Sequence, residues 1–148
     1  KKSFFSLNLF AVNGILAKEI KKATKKKGEH MEYNSDNAFA KILRGEIPTN
    51  PIYEDEFALA FYDIAPKAKI HALVIPKAMV VNFADFIEHS TAPEIAGYMR
   101  AIVRTAEKLG LQEDGYRLVF NSGKNSGQEV PHLHVHILGG EPLSTDHL

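Results

Sequence analysis

The chain of 148 residues has no cysteine. This excludes a disulfide framework and any thiolate zinc site, and it fits a reducing compartment, so a cytoplasmic protein is expected. Net charge is missing as well, since 18 Lys and Arg balance 18 Asp and Glu. The balance is uneven along the chain. Residues 1–30 hold eight Lys against two Glu, and residues 31–148 hold ten basic against sixteen acidic groups, which leaves +6 and −6. A net-acidic body is a poor nonspecific partner for nucleic acid, so any phosphate it binds has to be held by local N–H groups and imidazoles. No apolar run is long enough to span a bilayer: the stretch from Phe4 to Ala17 is broken by Ser6, Asn8, Asn13 and Gly14, and no stable membrane association is expected. Internal repeats are absent. The chain as a whole, 45% hydrophobic and 24% charged, has the size and composition of one soluble globular domain.

Histidine, by contrast, is concentrated. Three of the seven fall at His132, His134 and His136, alternating with Leu133, Val135 and Ile137. Strict alternation predicts a half-buried strand with all three rings on one face, about 6.6 Å apart and spanning roughly 13 Å. Imidazole changes charge near neutral pH and serves as nucleophile, acid, base or metal ligand. The row therefore admits catalysis, a zinc site using two histidines two residues apart, or the polar face of an ordinary edge strand. Directly upstream, the loop from Ser122 to Gly127 carries Gly123 and Gly127, which permit positive φ. Successive N–H groups there can form an anion-binding nest beside the row; the plain alternative is a hairpin loop of turn-forming residues.

The rest of the chain supplies a scaffold. Residues 1–30 form a basic extension: a leader or alternative start before Met31, a targeting segment, or an amphipathic surface helix. Ser35 or Asp36 is suited to cap a short helix bearing Phe39, Ile42 and Leu43 and closed by Gly45. Residues 52–54 and 57–62 suggest a hairpin around the acidic turn Glu54-Asp55-Glu56, ending at Asp63, itself a turn residue before Pro66. A third strand covers Ile70 to Ile75, with His71 on it. Thr91 and Glu94 have capping-box spacing for a helix from about Pro93 to Leu109, whose stripe of Ile95, Met99, Ile102, Val103 and Ala106 is assigned to the core. Gly110 closes it, and Asp114-Gly115 turns the chain into a strand from Tyr116 to Asn121.

The run Gly127-Gln128-Glu129-Val130-Pro131-His132-Leu133-His134-Val135-His136 resembles the signature of the histidine-triad (HIT) family. Phe61-Tyr62-Asp63-Ile64-Ala65-Pro66 and His71-Ala72-Leu73-Val74-Ile75-Pro76-Lys77 are similar to its other recurrent segments, so the likeness runs from about Asp36 to Gly140. Gly139-Gly140 resembles the Hint branch, the purine nucleoside phosphoramidases. The resemblance implies a single HIT domain over residues 31–148. Its expected fold is α+β, a five-stranded antiparallel sheet with one long and one short helix, pairing into a homodimer with a continuous ten-stranded sheet.

It also implies a reaction: hydrolysis at the α-phosphate of a purine nucleoside 5′-phosphoramidate to AMP and an amine, with no metal or cofactor. In that scheme His134 is the nucleophile and carries a nucleotidyl intermediate, while His136 holds the phosphoryl oxygens. His132, with His71 behind it, orients the row. Asp63 would bind the ribose, with Phe39, Ile42, Ile47, Phe61, Tyr62 and Ile64 around the base. Asn121 and Gly127 would contact phosphate or ribose, Gln128 the scissile side, and Val130 the nucleotide. Glu129 stands where some Hint proteins have a serine that bonds the leaving group, so either its side chain turns away or leaving-group preference differs. A dinucleoside polyphosphate hydrolase of the Fhit type, and a nucleotide-binding or scaffold module with residual activity, are the alternatives.

Overall fold

The computed structural model describes residues 31–145; the expectations for residues 1–30 lie outside the described residues. The described residues form one compact unit. In chain order it contains α1 (Ala38–Leu43), β1 (Pro51–Glu54), β2 (Ala58–Tyr62), β3 (Ile70–Pro76), α2 (Phe83–His89), α3 (Ala92–Lys108), β4 (Tyr116–Phe120), a 3₁₀ turn (Lys124–Ser126) and β5 (Val135–Gly139). The sheet has the order β1-β2-β3-β5-β4, and every neighbouring pair is antiparallel. Among the described residues, no helix is long and apolar enough to cross a membrane.

The α+β class and the five-stranded antiparallel sheet match the expectation, but the helices differ from it. A second short helix, α2, was not anticipated. It holds only two turns, and its side chains in the core are Phe86 and the buried polar Asp85. Its start is nevertheless encoded, because the Asn82 side chain accepts from Asp85 N at 3.0 Å. Helix α1 is capped by Asn37, not Ser35 or Asp36: Asn37 Oδ1 accepts from Ala40 N at 2.9 Å. The capping box of Thr91 and Glu94 forms as predicted and starts α3 at Ala92. The buried face of α3, however, is rotated from the assigned stripe. Gly97, Tyr98, Ala101, Ile102, Thr105 and Ala106 are buried, whereas Met99 and Val103 are 42% and 41% exposed. The assigned stripe passed over Gly97, Tyr98 and Ala101, and at Gly97 the missing side chain leaves room for the Phe57 ring.

The strands carry two clusters on opposite faces. On one face Ala58, Ala60, Ala72, Val74, Val135 and Ile137 pack with Tyr98 and Ile102 of α3; the Tyr98 hydroxyl donates to the Val74 carbonyl at 2.9 Å. On the other, Leu59, Phe61, Leu73 and Ile75 pack with Phe39 of α1. Both faces of the central strands are therefore covered, and the half-buried triad strand expected from alternation is buried on both sides: only His136 of β5 is partly exposed. The ladder also begins later than expected, at Val135, so His132 and His134 precede it. The acidic turn between β1 and β2 is locally bonded as well as solvated, because Asp55 Oδ1 accepts from the backbone N–H groups of Phe57 and Ala58.

Gly97 gives α3 its close approach, since a Cβ there would stand 2.2 Å from the Phe57 ring. Gly97→Ala should lower the unfolding free energy by about 1–3 kcal/mol, the usual cost of overpacking. Urea unfolding midpoints test this, and an unchanged midpoint would show that the Phe57 ring moves aside at no cost.

Candidate active site

Strands β3 and β5 set out the inner pair of histidines. His71 stands opposite Leu138 and His136 opposite Leu73, so the two rings meet diagonally on the face away from α3, with centroids 5.1 Å apart. Their bonding fixes their protons. The Lys67 backbone N–H donates to His71 Nδ1 at 3.0 Å, which leaves the His71 proton on Nε2. That N–H meets His136 Nδ1 at 2.9 Å. His136 Nδ1 is thus the acceptor, and the ring presents Nε2–H outward.

The outer pair is ordered the same way. His134 Nδ1 lies 2.8 Å from the His132 carbonyl oxygen, and a carbonyl can only accept, so Nδ1 carries the proton and Nε2 keeps its lone pair. The His132 ring donates from Nε2 to the Pro76 carbonyl at 2.9 Å and accepts at Nδ1 from the Tyr33 hydroxyl at 2.5 Å. The His134 and His136 rings lie 5.1 Å apart, edge to face. All four imidazoles expected at the site are therefore brought together, more closely than an ideal strand spacing suggests.

Their environment keeps them neutral. Burial lowers His132 from its ordinary 6.5 to about 4, outweighing the opposing bond to Pro76, with a further reduction from His134. Burial likewise lowers His136 to about 4, helped by the neighbouring His134 and His71. His134 and His71 are also lowered by burial, against opposing pulls that include Asp63 in both cases. A neutral imidazole with a bare Nε2 needs no prior deprotonation to attack an electrophile.

The remaining candidates fall into two groups. Phe39 lies edge-on to Phe61, His132 and His134, with its centroid 5.1 Å from that of His134. Ile42 and Val130 pack on the same cluster. Ile47, Tyr62 and Ile64 are exposed, Ile64 completely, whereas Phe61 is buried. Asp63 combines its turn role with contact to the row: Oδ1 accepts from Ala65 N at 2.8 Å, and Oδ2 lies 3.5 Å from His71 Nε2.

On the other side, the loop before the row differs from the anticipated anion nest. Gly123 and Gly127 do take positive φ, but the N–H groups of Ser126, Gly127 and Gln128 bond to carbonyls within the loop. The Gly123 N–H donates to Gln128 Oε1 at 2.8 Å, and Gln128 Nε2 donates to the Val81 carbonyl at 2.7 Å. The Gln128 amide thus ties the loop to the segment before α2. A short 3₁₀ turn consumes the donors that a nest would present. Asn121 is partly buried beside it, and Glu129 is exposed. Its charge still acts on His134. A concavity of about 360 Å³ is bordered by Gly123, Lys124, Gln128, Glu129 and Pro131.

Asp63, His71 and His136 offer donor atoms within 4.8 Å of one another, close enough for a cation. Proton placement argues against one. The Lys67 N–H holds the His71 proton on Nε2, the atom on which a metal would need a lone pair, so these residues do not fit a metal ion. Three groups that order the row were not found from sequence: Tyr33, the Lys67 N–H and the Pro76 carbonyl. Backbone groups leave no residue-type signal, and Tyr33 lies 99 positions from its partner.

The sheet and the ordered row define an α+β protein with a site of four desolvated histidines joined by hydrogen bonds. Residues 44–143 match the HIT domain model, and the chain belongs to the HIT family. It is 50% identical over 111 residues to a HIT-like protein of Azospirillum brasilense, covering 75% of this chain and 91% of that one. Identity to the purine nucleoside phosphoramidase of Escherichia coli K12 is 41% over 109 residues, covering 73% and 90%. The crystal structure of a HIT family hydrolase from Legionella pneumophila superposes with a TM-score of 0.68 at 41% identity, covering 73% of this chain and 96% of that one.

The buried rings make acid stability a readout of the site. Unfolded histidines protonate near 6.5, whereas folded His132 and His136 do so only near 4, so between these values the unfolded state binds more protons. Stability contributed by the neutral row is therefore complete above about pH 6.5 and is lost as pH falls toward 4. Urea midpoints should decline through that window, and less steeply in His132→Asn. A flat profile would mean that the rings are as solvated as in the unfolded chain.

Proposed function

We propose that the protein is a hydrolase of purine nucleoside 5′-phosphoramidates, releasing AMP and an amine through a nucleotidyl intermediate on His134. The observation that carries this reading is the bond from His134 Nδ1 to the His132 carbonyl, which aims a bare Nε2 out of the row in a relative of a purine nucleoside phosphoramidase. Attack by Nε2 on the α-phosphorus forms an N–P bond as the bond to the amine breaks. Water then cleaves the intermediate and restores the ring. Splitting the displacement in this way replaces one high barrier by two lower ones.

His136, with Nε2–H outward, stabilises the phosphoryl oxygens, a fixed donor aimed at developing charge. An anionic phosphate beside the row offsets the burial that keeps these rings neutral, so the site takes up a proton as nucleotide binds, and that proton is available to the leaving nitrogen. Calorimetric titration of AMP at pH 6.5 in two buffers of different ionisation enthalpy should show net proton uptake. Buffer-independent heats would count against this route.

The base and ribose occupy the side opposite the loop. Phe39, Ile42, Phe61 and Val130 floor it, Ile47, Tyr62 and Ile64 rim it, and Asp63 keeps acceptor capacity for ribose hydroxyls beyond its turn bond. Asn121, Gly127 and Gln128 flank the phosphate from the loop. The concavity beside Glu129 receives the amine, and its carboxylate favours uncharged or cationic leaving groups over anionic ones. Exposed Met99 and Val103 on α3, with Leu118 on the edge strand β4, support pairing of two copies into a ten-stranded sheet. A cytoplasmic location remains part of this reading.

Adenosine 5′-phosphoramidate should be turned over by the wild-type protein with and without EDTA, and His134→Ala should lose roughly 10³-fold or more, the scale seen when a nucleophile is removed. Activity lost to EDTA alone would replace this mechanism with a metal-assisted one. Faster cleavage of diadenosine polyphosphates than of the phosphoramidate would assign the Fhit type, and AMP binding without turnover would leave a binding module.

A further inference from the structure

His132 is completely buried, and a ring in that position needs a partner for each nitrogen, because an unmet buried acceptor or donor is costly. One partner is the Pro76 carbonyl at the end of β3, which accepts from Nε2. The other is the hydroxyl of Tyr33, at 2.5 Å from Nδ1. The Tyr33 ring also meets the imidazole edge to face, with centroids 5.6 Å apart and planes at 66°. Tyr33 stands before α1 and outside residues 44–143, the segment that matches the HIT domain. The match to the domain model therefore assigns Tyr33 no role.

We propose that Tyr33 is a positioning residue for the nucleophile, acting through His132. Its O–H occupies Nδ1 of His132 and so holds the proton of that ring on Nε2, against the Pro76 carbonyl. The His132 residue is then clamped at three points: the ring to Tyr33, the ring to Pro76, and the backbone N–H to the Val130 carbonyl at 2.9 Å. What the clamp holds still is the His132 carbonyl, which accepts the His134 Nδ1 proton at 2.8 Å. Without the hydroxyl, the Nδ1 lone pair has no partner in a dry site and the ring no longer has a single preferred orientation. The carbonyl is freed to shift, and His134 can then place its proton on Nε2, the atom that must attack.

The activity arm of this inference rests on the reaction proposed above; the tautomer arm does not. Tyr33→Phe keeps the ring packing and removes only the donor. Its kcat on adenosine 5′-phosphoramidate should fall about tenfold, as expected for one unmet buried acceptor. KM and the Kd for AMP should stay within about twofold, because Tyr33 acts behind the row. Nitrogen-15 spectra of the histidine rings at pH 7 should show single tautomers at His132 (Nε2–H) and His134 (Nδ1–H) in the wild type and mixed populations at both in the variant. A wild-type kcat in the variant, or unchanged single tautomers, would overturn the proposal. Should Tyr33→Phe fail to fold, 3,5-difluorotyrosine at position 33 retains ring and hydroxyl with a more acidic O–H. It should move the His132 Nδ1 resonance toward the protonated value, and an unmoved resonance would overturn the proposal equally. If the wild type does not turn over the phosphoramidate, the proposed reaction falls, while the ring spectra still decide the role of Tyr33.

Discussion

Four imidazoles packed side by side can be stable only if no lone pair faces a lone pair and no N–H faces an N–H. In this protein that constraint is met by groups that can play only one part. The Lys67 N–H can only donate, and it sets His71 and through it His136. The carbonyls of Pro76 and His132 can only accept, and they set His132 and His134. Because all three of these fixing groups belong to residues at or just outside strand ends, the chemistry of the row depends on where the sheet starts and stops. Shifting β3 by one residue against β5 would turn His71 to the α3 face, away from His136.

The sheet itself explains how the imidazoles come to be both buried and ordered. Helix α3 covers one face, and the missing side chain at Gly97 leaves room for the Phe57 ring. On the opposite face, α1 lays Phe39 across His132 and His134, so the rings lose water without being entombed in the main core. Desolvation disfavours the imidazolium form, and the hydrogen bonds then choose which nitrogen of the neutral ring stays bare. The first effect sets charge and the second sets direction. Neither alone yields a neutral ring whose bare nitrogen has a fixed direction.

Much of this was legible from residue types. Alternation of His132, Leu133, His134, Val135 and His136 placed the imidazoles opposite the α3 core, and Thr91 with Glu94 marked the start of α3. Alternation could not say that the polar face would also be covered, since the cover comes from Phe39 and Tyr33, about a hundred residues away. The α3 stripe was misplaced because Gly97 carries no hydrophobic signal and the Tyr98 hydroxyl finds its acceptor, the Val74 carbonyl, only in the tertiary structure. Helix α2 was missed because its two turns add only Phe86 and Asp85 to the buried interior, too little for periodicity to register. The loop looked like an anion nest because its glycines have the right φ, but where its N–H groups go depends on the 3₁₀ turn and on Gln128. In each case composition indicated conformation, and the hydrogen-bond partner was decided by tertiary structure.

Gln128 shows how far that decision reaches. Its amide joins the Gly123 N–H to the Val81 carbonyl, while the Val81 N–H donates to Asp85 Oδ2 at 2.8 Å, and the Val80 carbonyl accepts from Leu133 N. The segment between β3 and α2 therefore supports two things at once: the loop on one side of the row, and the start of the triad strand that contains it. A loop held by a side-chain amide retains an option that a backbone ladder lacks, because the same amide can exchange its loop bond for a substrate oxygen at the cost of about one hydrogen bond. Glycines at 123 and 127, already in left-handed backbone, need no further strain to follow. The loop thus stays ordered while the row is empty and can release donors to an anion, which reconciles its internally bonded state with the place beside the phosphate that the proposed reaction gives it.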